Sequence, residues 1–394
     1  MALPSDFLAS LEYLQPGQIL AFLQIKERPA AWRSECLTIT NEIKPVDLYC
    51  YLTARFGPPN GVQNWLRQNH SDNIFHWNWT FRYGPSLVDI QGRNYRTDVW
   101  VIGSFEFEPD DCADFVRHVK ADFAAFGADM AKCRKSLEPW IEFVNPYQRL
   151  RRSVTKLAEE LKALQLDQLS DLPNILDQED RESVQRQWDE AVSRCTRGFG
   201  LCFGIRSMLP IMAEAFVNLV LFVLMRPEIR ADSRLKDDAF KRHIDIRVKS
   251  LSINCTGFKQ PIDYSNEICG RYHSVVNERN DLLHGNVDPK KLQFNEVYFH
   301  GTVPVFKEYR SMWQRSLGIE RQAVGVDKVF EELAVIDDFI AYVLSCLDDK
   351  IRPKIEYMLG RLELGLNTRD ERLGVLFSER LVDYKAVSAT GEKI

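Results

Sequence analysis

Several signatures of chemistry are missing from this chain of 394 residues. It has no P-loop, no GxSxG elbow, no HExxH pair and no dinucleotide fingerprint. A Walker-type nucleotidase, a nucleophile-elbow hydrolase and a zincin therefore have nothing to build on. Its nine cysteines, Cys36, Cys50, Cys112, Cys133, Cys195, Cys202, Cys255, Cys269 and Cys346, form no CxxC and no Cys/His cluster. That excludes the usual structural zinc spacings. An excess of positive charge is lacking too: 51 Lys+Arg stand against 56 Asp+Glu, a formal net charge of −5. A broad cationic coat for nucleic acid is excluded, whereas a small local site is not. The N-terminus shows no charged segment leading into an apolar one, so no secretory signal is expected. An odd number of scattered thiols then reads as reduced and mostly buried, and the expected compartment is the cytoplasm. Internal repeats and low-complexity tracts are also absent.

What is present is ordinary for a globular protein. Hydrophobic residues make up 45% and charged residues 27%, enough apolar surface for two or three packed domains. One long apolar run, between Arg206 and Arg226, carries a single charge, Glu214. It approaches the length of a membrane span. Pro210, Glu214 and Asn218 inside it favour a buried helix, and no membrane association is expected.

The expected fold class is α+β, with an N-terminal mixed module holding an antiparallel β-meander and a C-terminal, mostly α-helical bundle. The stretch 74–102 carries the strand signal. Ile74 to Tyr83 alternates and is rich in aromatics, Gly84-Pro85-Ser86 and Gln91-Gly92-Arg93-Asn94 punctuate, and Tyr95 to Ile102 completes a third strand. Trp77, Trp79, Phe81 and Tyr83 read as sheet core, with base stacking as the other use of such a row. Helical periods are expected over about 109–130, 145–165, 181–198, 207–225, 236–251, 264–284 and 326–350. The expected domains are 1–135, a mixed module that is a candidate sensor, and 136–198, a helical connector with a linker near 165–180. They are followed by 199–360, the helical domain, and 361–394, an extension whose tail from Val382 frays.

One constellation carries chemistry: Asn277-Glu278-Arg279-Asn280-Asp281-Leu282-Leu283-His284-Gly285-Asn286. It closes an amphipathic helix, with Gly285 as the candidate C-cap. Arginine is permanently charged and forks onto phosphate. Histidine passes protons near neutrality, and Asn280 and Asp281 are placed to hold or orient them. Five residues at about 100° each put Arg279 and His284 about 140° apart around a helix. They meet only if the helix frays before Gly285, or if a two-fold partner brings two such pairs together. Glu214, an acid in an apolar helix, needs a partner if buried, and Arg279 is the expected one. Lys241, Arg242, Arg247 and Lys249 make a basic helix face, read as solvated or as a weak RNA-backbone contact. Arg149, Arg151 and Arg152 read the same way.

Arg-Asn-x-x-x-His at 279–284, with helix before and glycine after, resembles the motif of HEPN domains. The resemblance covers about 200–350. It implies a bundle of four or five helices acting as a metal-independent endoribonuclease, with no cofactor. It further implies a homodimer in which two motifs share one cleft and RNA is cut by 2′-OH attack, leaving a 2′,3′-cyclic phosphate. Arg279, Asn280 and His284 match the motif as catalytic candidates. The acid of the first helix matches Glu214, with Asp281 in support. Such domains are frequently toxins or antiviral effectors, so a trigger or inhibitor acting at the N-terminal module is a further implied partner. The long stretch between His284 and the helix at 326 departs from a compact bundle. The competing reading is a non-catalytic helical scaffold that dimerises or binds a nucleotide, in which Arg279 and His284 are structural.

Overall fold

The computed structural model describes residues 3–24, 33–66, 73–104, 107–108, 110–169, 181–285 and 289–377. They fall into two compact units, Met1–Ile141 with Gly365–Ile394, and Glu142–Leu364. Residues 170–180 of the expected linker, His70, Asn286 and the tail from Val382 lie outside the described residues. The mixed organisation, with antiparallel sheets and a helical C-terminal region, is as expected.

The first unit runs β1 (Glu12–Tyr13), α1 (Pro16–Leu23), β2 (Arg33–Ile39), α2 (Pro45–Phe56), α3 (Gln63–Leu66), β3 (Trp77–Tyr83), β4 (Ser86–Gly92), β5 (Thr97–Gly103) and α4 (Asp111–Ser136). The meander is β3–β5. β1 and β2 extend it at its two edges, in the order β1-β3-β4-β5-β2, with every neighbour antiparallel. Tyr83 faces Ser86 across a two-residue turn, where Gly84 takes φ +54°, a conformation glycine adopts without Cβ strain.

Alternation sorts the sheet into two faces. One presents Trp79, Phe81, Val88, Ile90, Val99 and Val101, all fully buried, against Leu48, Tyr51 and Leu52 of α2 and Phe115 and Val119 of α4. Each large apolar side chain hidden there contributes about 1.5–3 kcal/mol. Trp77 and Tyr83 pack against the same cluster, so the aromatic row is core. The other face carries Asn78, Thr80, Asp89, Gln91 and Trp100, with Leu87 and Ile102 beside Ile19 of α1.

The chain enters the second unit within β6 (Trp140–Val144). Asn145 then caps α5 (Pro146–Ala163), accepting from the Tyr147 and Gln148 amides at 3.1 and 3.3 Å. The helices expected over 181–198 and 207–225 are one element, α6 (Arg181–Leu224), of 44 residues and about 66 Å in length. Pro210 sits inside it and deprives the Arg206 carbonyl of its helical donor, a cost of about 3 kcal/mol. Burial of Leu209, Met212, Ala213 and Phe216 around it outweighs that cost. By length and composition α6 would cross a membrane, but 61% of its most apolar window is buried inside the protein.

Four short or medium helices follow: α7 (Pro227–Ala231), α8 (Ser233–Lys241), α9 (Ile244–Lys249) and α10 (Leu251–Asn254). The helix expected over 236–251 is thus broken. Arg242 and His243 are extended, which turns the chain so that Arg247, Val248 and Leu251 point inward and are buried. Next come α11 (Glu267–His284), α12 (Pro289–Leu292), the hairpin β7 (Val297–His300) and β8 (Val303–Phe306), then α13 (Ile319–Val324), α14 (Val329–Ser345) and α15 (Arg352–Leu359). The chain leaves the unit within β9 (Glu363–Asn367), which pairs with β10 (Leu373–Gly374). The core of the second unit is α6 with α5, α11 and α14 laid against it.

Candidate functional site

Helix α11 begins at Asn266, whose side chain accepts from the Ile268 amide at 2.9 Å. Its inner stripe is Cys269, Tyr272 and Val275, and Tyr272 stacks on Phe339 of α14 with ring centroids 4.0 Å apart. Arg279 is the next residue on that stripe, four after Val275. Its guanidinium is half-buried, and Nη1 donates to Asn280 Oδ1 at 2.9 Å. Its Nε is fully buried with no hydrogen-bond partner. Among the described residues no carboxylate forms an ion pair with it.

The acid beside Arg279 in the chain is engaged elsewhere. Glu278 accepts from Arg206 Nη2 of α6 at 2.6 Å and lies 3.6 Å from Lys328 Nζ. Arg206 is buried and also holds Glu332 of α14, through Nε at 2.8 Å and Nη2 at 2.5 Å. Its Nη1 donates to the Val324 carbonyl at 2.8 Å. Burial pushes the Glu332 carboxyl above its ordinary value, against the pull of Arg206. Arg206 thus ties α6, α11, α14 and the end of α13 together.

Glu214 is not the partner of Arg279. It forms an ion pair with Arg247 of α9, whose Nη1 also donates to Asn218 Oδ1 at 2.7 Å. Arg247 is therefore not on a solvated basic face: it is 6% exposed. A guanidinium among apolar side chains needs a carboxylate, and the break before α9 aims it at one. The rest of that face is locally neutralised. Lys241 pairs with Asp237 at 2.8 Å, Arg242 with Asp238, and Lys249 with Asp245 at 3.5 Å while lying over the Tyr264 ring. Arg151 pairs with Asp337, and Arg149 and Arg152 stand exposed.

The helix does not fray before its glycine. α11 runs through His284, which is exposed, and Gly285 caps it at φ +60° with its amide bonded to the Asp281 carbonyl. Arg279 and His284 of one chain consequently keep their separation of about 140°. The sequence reading missed Arg206, Glu332 and Gly325. The signal for the first two was a charge on an apolar stripe: Arg206 between Cys202 and Leu209, and Glu332 between Val329 and Ile336. No protein-family model matches the chain, and no curated protein or solved structure matches it either.

Proposed function

We propose that the protein is a metal-independent endoribonuclease of the HEPN type, working as a toxin or antiviral effector. The observation that carries this reading is Arg279, a half-buried permanent cation without a carboxylate partner among the described residues. It stands on the same helix as an exposed histidine five residues on. Glu278, next to it in the chain, is held by Arg206, and Glu214, its expected partner, is held by Arg247. A guanidinium kept free in this way suits a phosphate, which it grips bidentately.

One chain does not place Arg279 and His284 on one side of α11, so the site is completed by a second copy around a two-fold axis. In the shared cleft one His284 takes the proton of the ribose 2′-OH. The 2′-oxygen attacks phosphorus, and the partner's His284 protonates the leaving 5′-oxygen. Arg279 stabilises the charge that builds on the phosphorane oxygens, and Asn280 holds the guanidinium. The hairpin β7–β8 leaves Tyr298, Phe299, Val303 and Val305 exposed, an apolar surface of the kind a second copy covers.

The test is incubation of purified protein with total RNA in EDTA, wild type beside His284→Ala and Arg279→Ala. Wild type yields fragments ending in 2′,3′-cyclic phosphate, and each variant loses at least about 100-fold in rate with unchanged circular dichroism. Cleavage at wild-type rate by both variants overturns the assignment. Variants that lose stability in step with activity point to the non-catalytic scaffold instead.

A further inference from the structure

The first unit holds a cavity of about 200 Å³ on the sheet face turned away from the aromatic core. Its floor is three strands wide. Thr80 of β3 lies opposite Asp89 of β4, which lies opposite Trp100 of β5. Ile19 and Leu23 of α1, Val62, Leu87 and Ile102 form apolar walls. Among the described residues Asp89 is the one acid lining it. Its Oδ1 accepts from Asn78 Nδ2 at 2.9 Å and Thr80 Oγ1 at 2.5 Å, and its Oδ2 accepts from Gln91 Nε2. Those three donors are themselves buried. Among the described residues no Lys or Arg forms an ion pair with Asp89.

This arrangement is costly as architecture. A carboxylate withdrawn from water normally pairs with a cation, whereas the half-buried Asp89 is held by neutral amides and a hydroxyl, which leave acceptor capacity on Oδ2. Asn78 is 1% exposed, and its Oδ1 is buried without a partner. The amide is seated by Gly61, where a Cβ would meet Asn78 Nδ2 at 1.8 Å. Polar groups fixed around an unpaired acid, inside apolar walls, make a preorganised receptor.

We infer that this cavity binds a small planar compound through a cationic or N–H-rich edge of the amidine type. Asp89 accepts one charge-assisted hydrogen bond from the edge at the remaining position on Oδ2, and Trp100, Ile19 and Ile102 hold the flat body. The volume lies below the roughly 300–1,000 Å³ of drug-sized sites, which limits the ligand to about one ring system. The site gives the N-terminal module a ligand of its own, and it stands whether or not the second unit cuts RNA.

Calorimetric titration of the full chain tests it with benzamidine, benzamide and benzoate, three compounds of one shape and different charge. Benzamidine is expected to bind saturably and at least about tenfold tighter than the other two, a difference of about 1.4 kcal/mol. Guanosine, added as a neutral amidine-type edge, separates the sources. Binding of both probes identifies a nucleobase ligand, and binding of benzamidine alone identifies a cation. Asp89→Asn removes the preference for benzamidine. Leu23→Trp, at the partly exposed rim, closes the cavity without touching the polar floor and abolishes binding in a folded protein. No saturable binding of benzamidine, equal binding of benzoate, or binding that survives Leu23→Trp overturns the inference.

Discussion

Individual charges decide most of what is distinctive in this protein. Arg206 and Glu332 are both buried, and each is the other's main compensation. Replacing Arg206 by Met leaves Glu332 unpaired in the interior, an expected loss of about 3–5 kcal/mol in urea unfolding. The double variant with Glu332→Met should recover most of it, since a packed apolar pair removes the desolvation cost of both ions. A single-variant loss under about 1 kcal/mol, against that expectation, would show that the pair does not anchor the bundle. Asp89 gives a different signature. Burial pushes its carboxyl up, more than its three hydrogen bonds pull it down. The folded state therefore binds the proton more tightly than the unfolded chain. Stability contributed by this group is present below the ordinary carboxylate range and is lost as pH rises through the raised folded value. Asp89→Asn should flatten that part of a melting-temperature profile, and an unchanged profile would contradict the burial argument. The thiols are quieter. Burial pushes Cys36, Cys50 and Cys255 up to about 12, and Cys202 and Cys269 up to about 11, so these five should modify slowly with thiol reagents near neutral pH.

At the scale of elements, helix ends do the positioning. α11 and α13 both stop at a left-handed glycine, Gly285 at φ +60° and Gly325 at φ +70°. Around Gly285 there is open space, whereas a Cβ at Gly325 would meet Arg206 Nη1 at 2.5 Å. Gly285→Ala should cost only the left-handed backbone term, about 1–2 kcal/mol. Gly325→Ala should cost more, because it also displaces the buried guanidinium. Equal losses by thermal denaturation would remove Gly325 from the network. The elements legible in the sequence were those with a strong period: the meander β3–β5, and helices α4, α5, α11 and α14. β2 was missed because Arg-Ser-Glu-Cys at its start carries no apolar alternation, and its pairing with β5 supplies the order instead. The break between α8 and α9 was also invisible, since Phe240, Ile244, Val248 and Leu251 keep a helical spacing across it.

For the whole molecule, the proposed cleft requires two copies. The wild-type chain should sediment at twice its monomer mass at micromolar concentration, and an active monomer would refute the shared site. The cysteine pattern, the near-balanced charge, the mixed fold and the Arg-Asn-x-x-x-His motif at the end of a helix were all determined by the sequence alone, because each depends on residue type or on spacing within one element. Tertiary structure decided the rest. It gave Glu214 to Arg247, fused two expected helices across Pro210, and put Asp89 on the floor of a cavity. These outcomes depend on which buried charge finds which partner across residues far apart in the chain. That choice follows desolvation and packing in three dimensions, to which no local period refers.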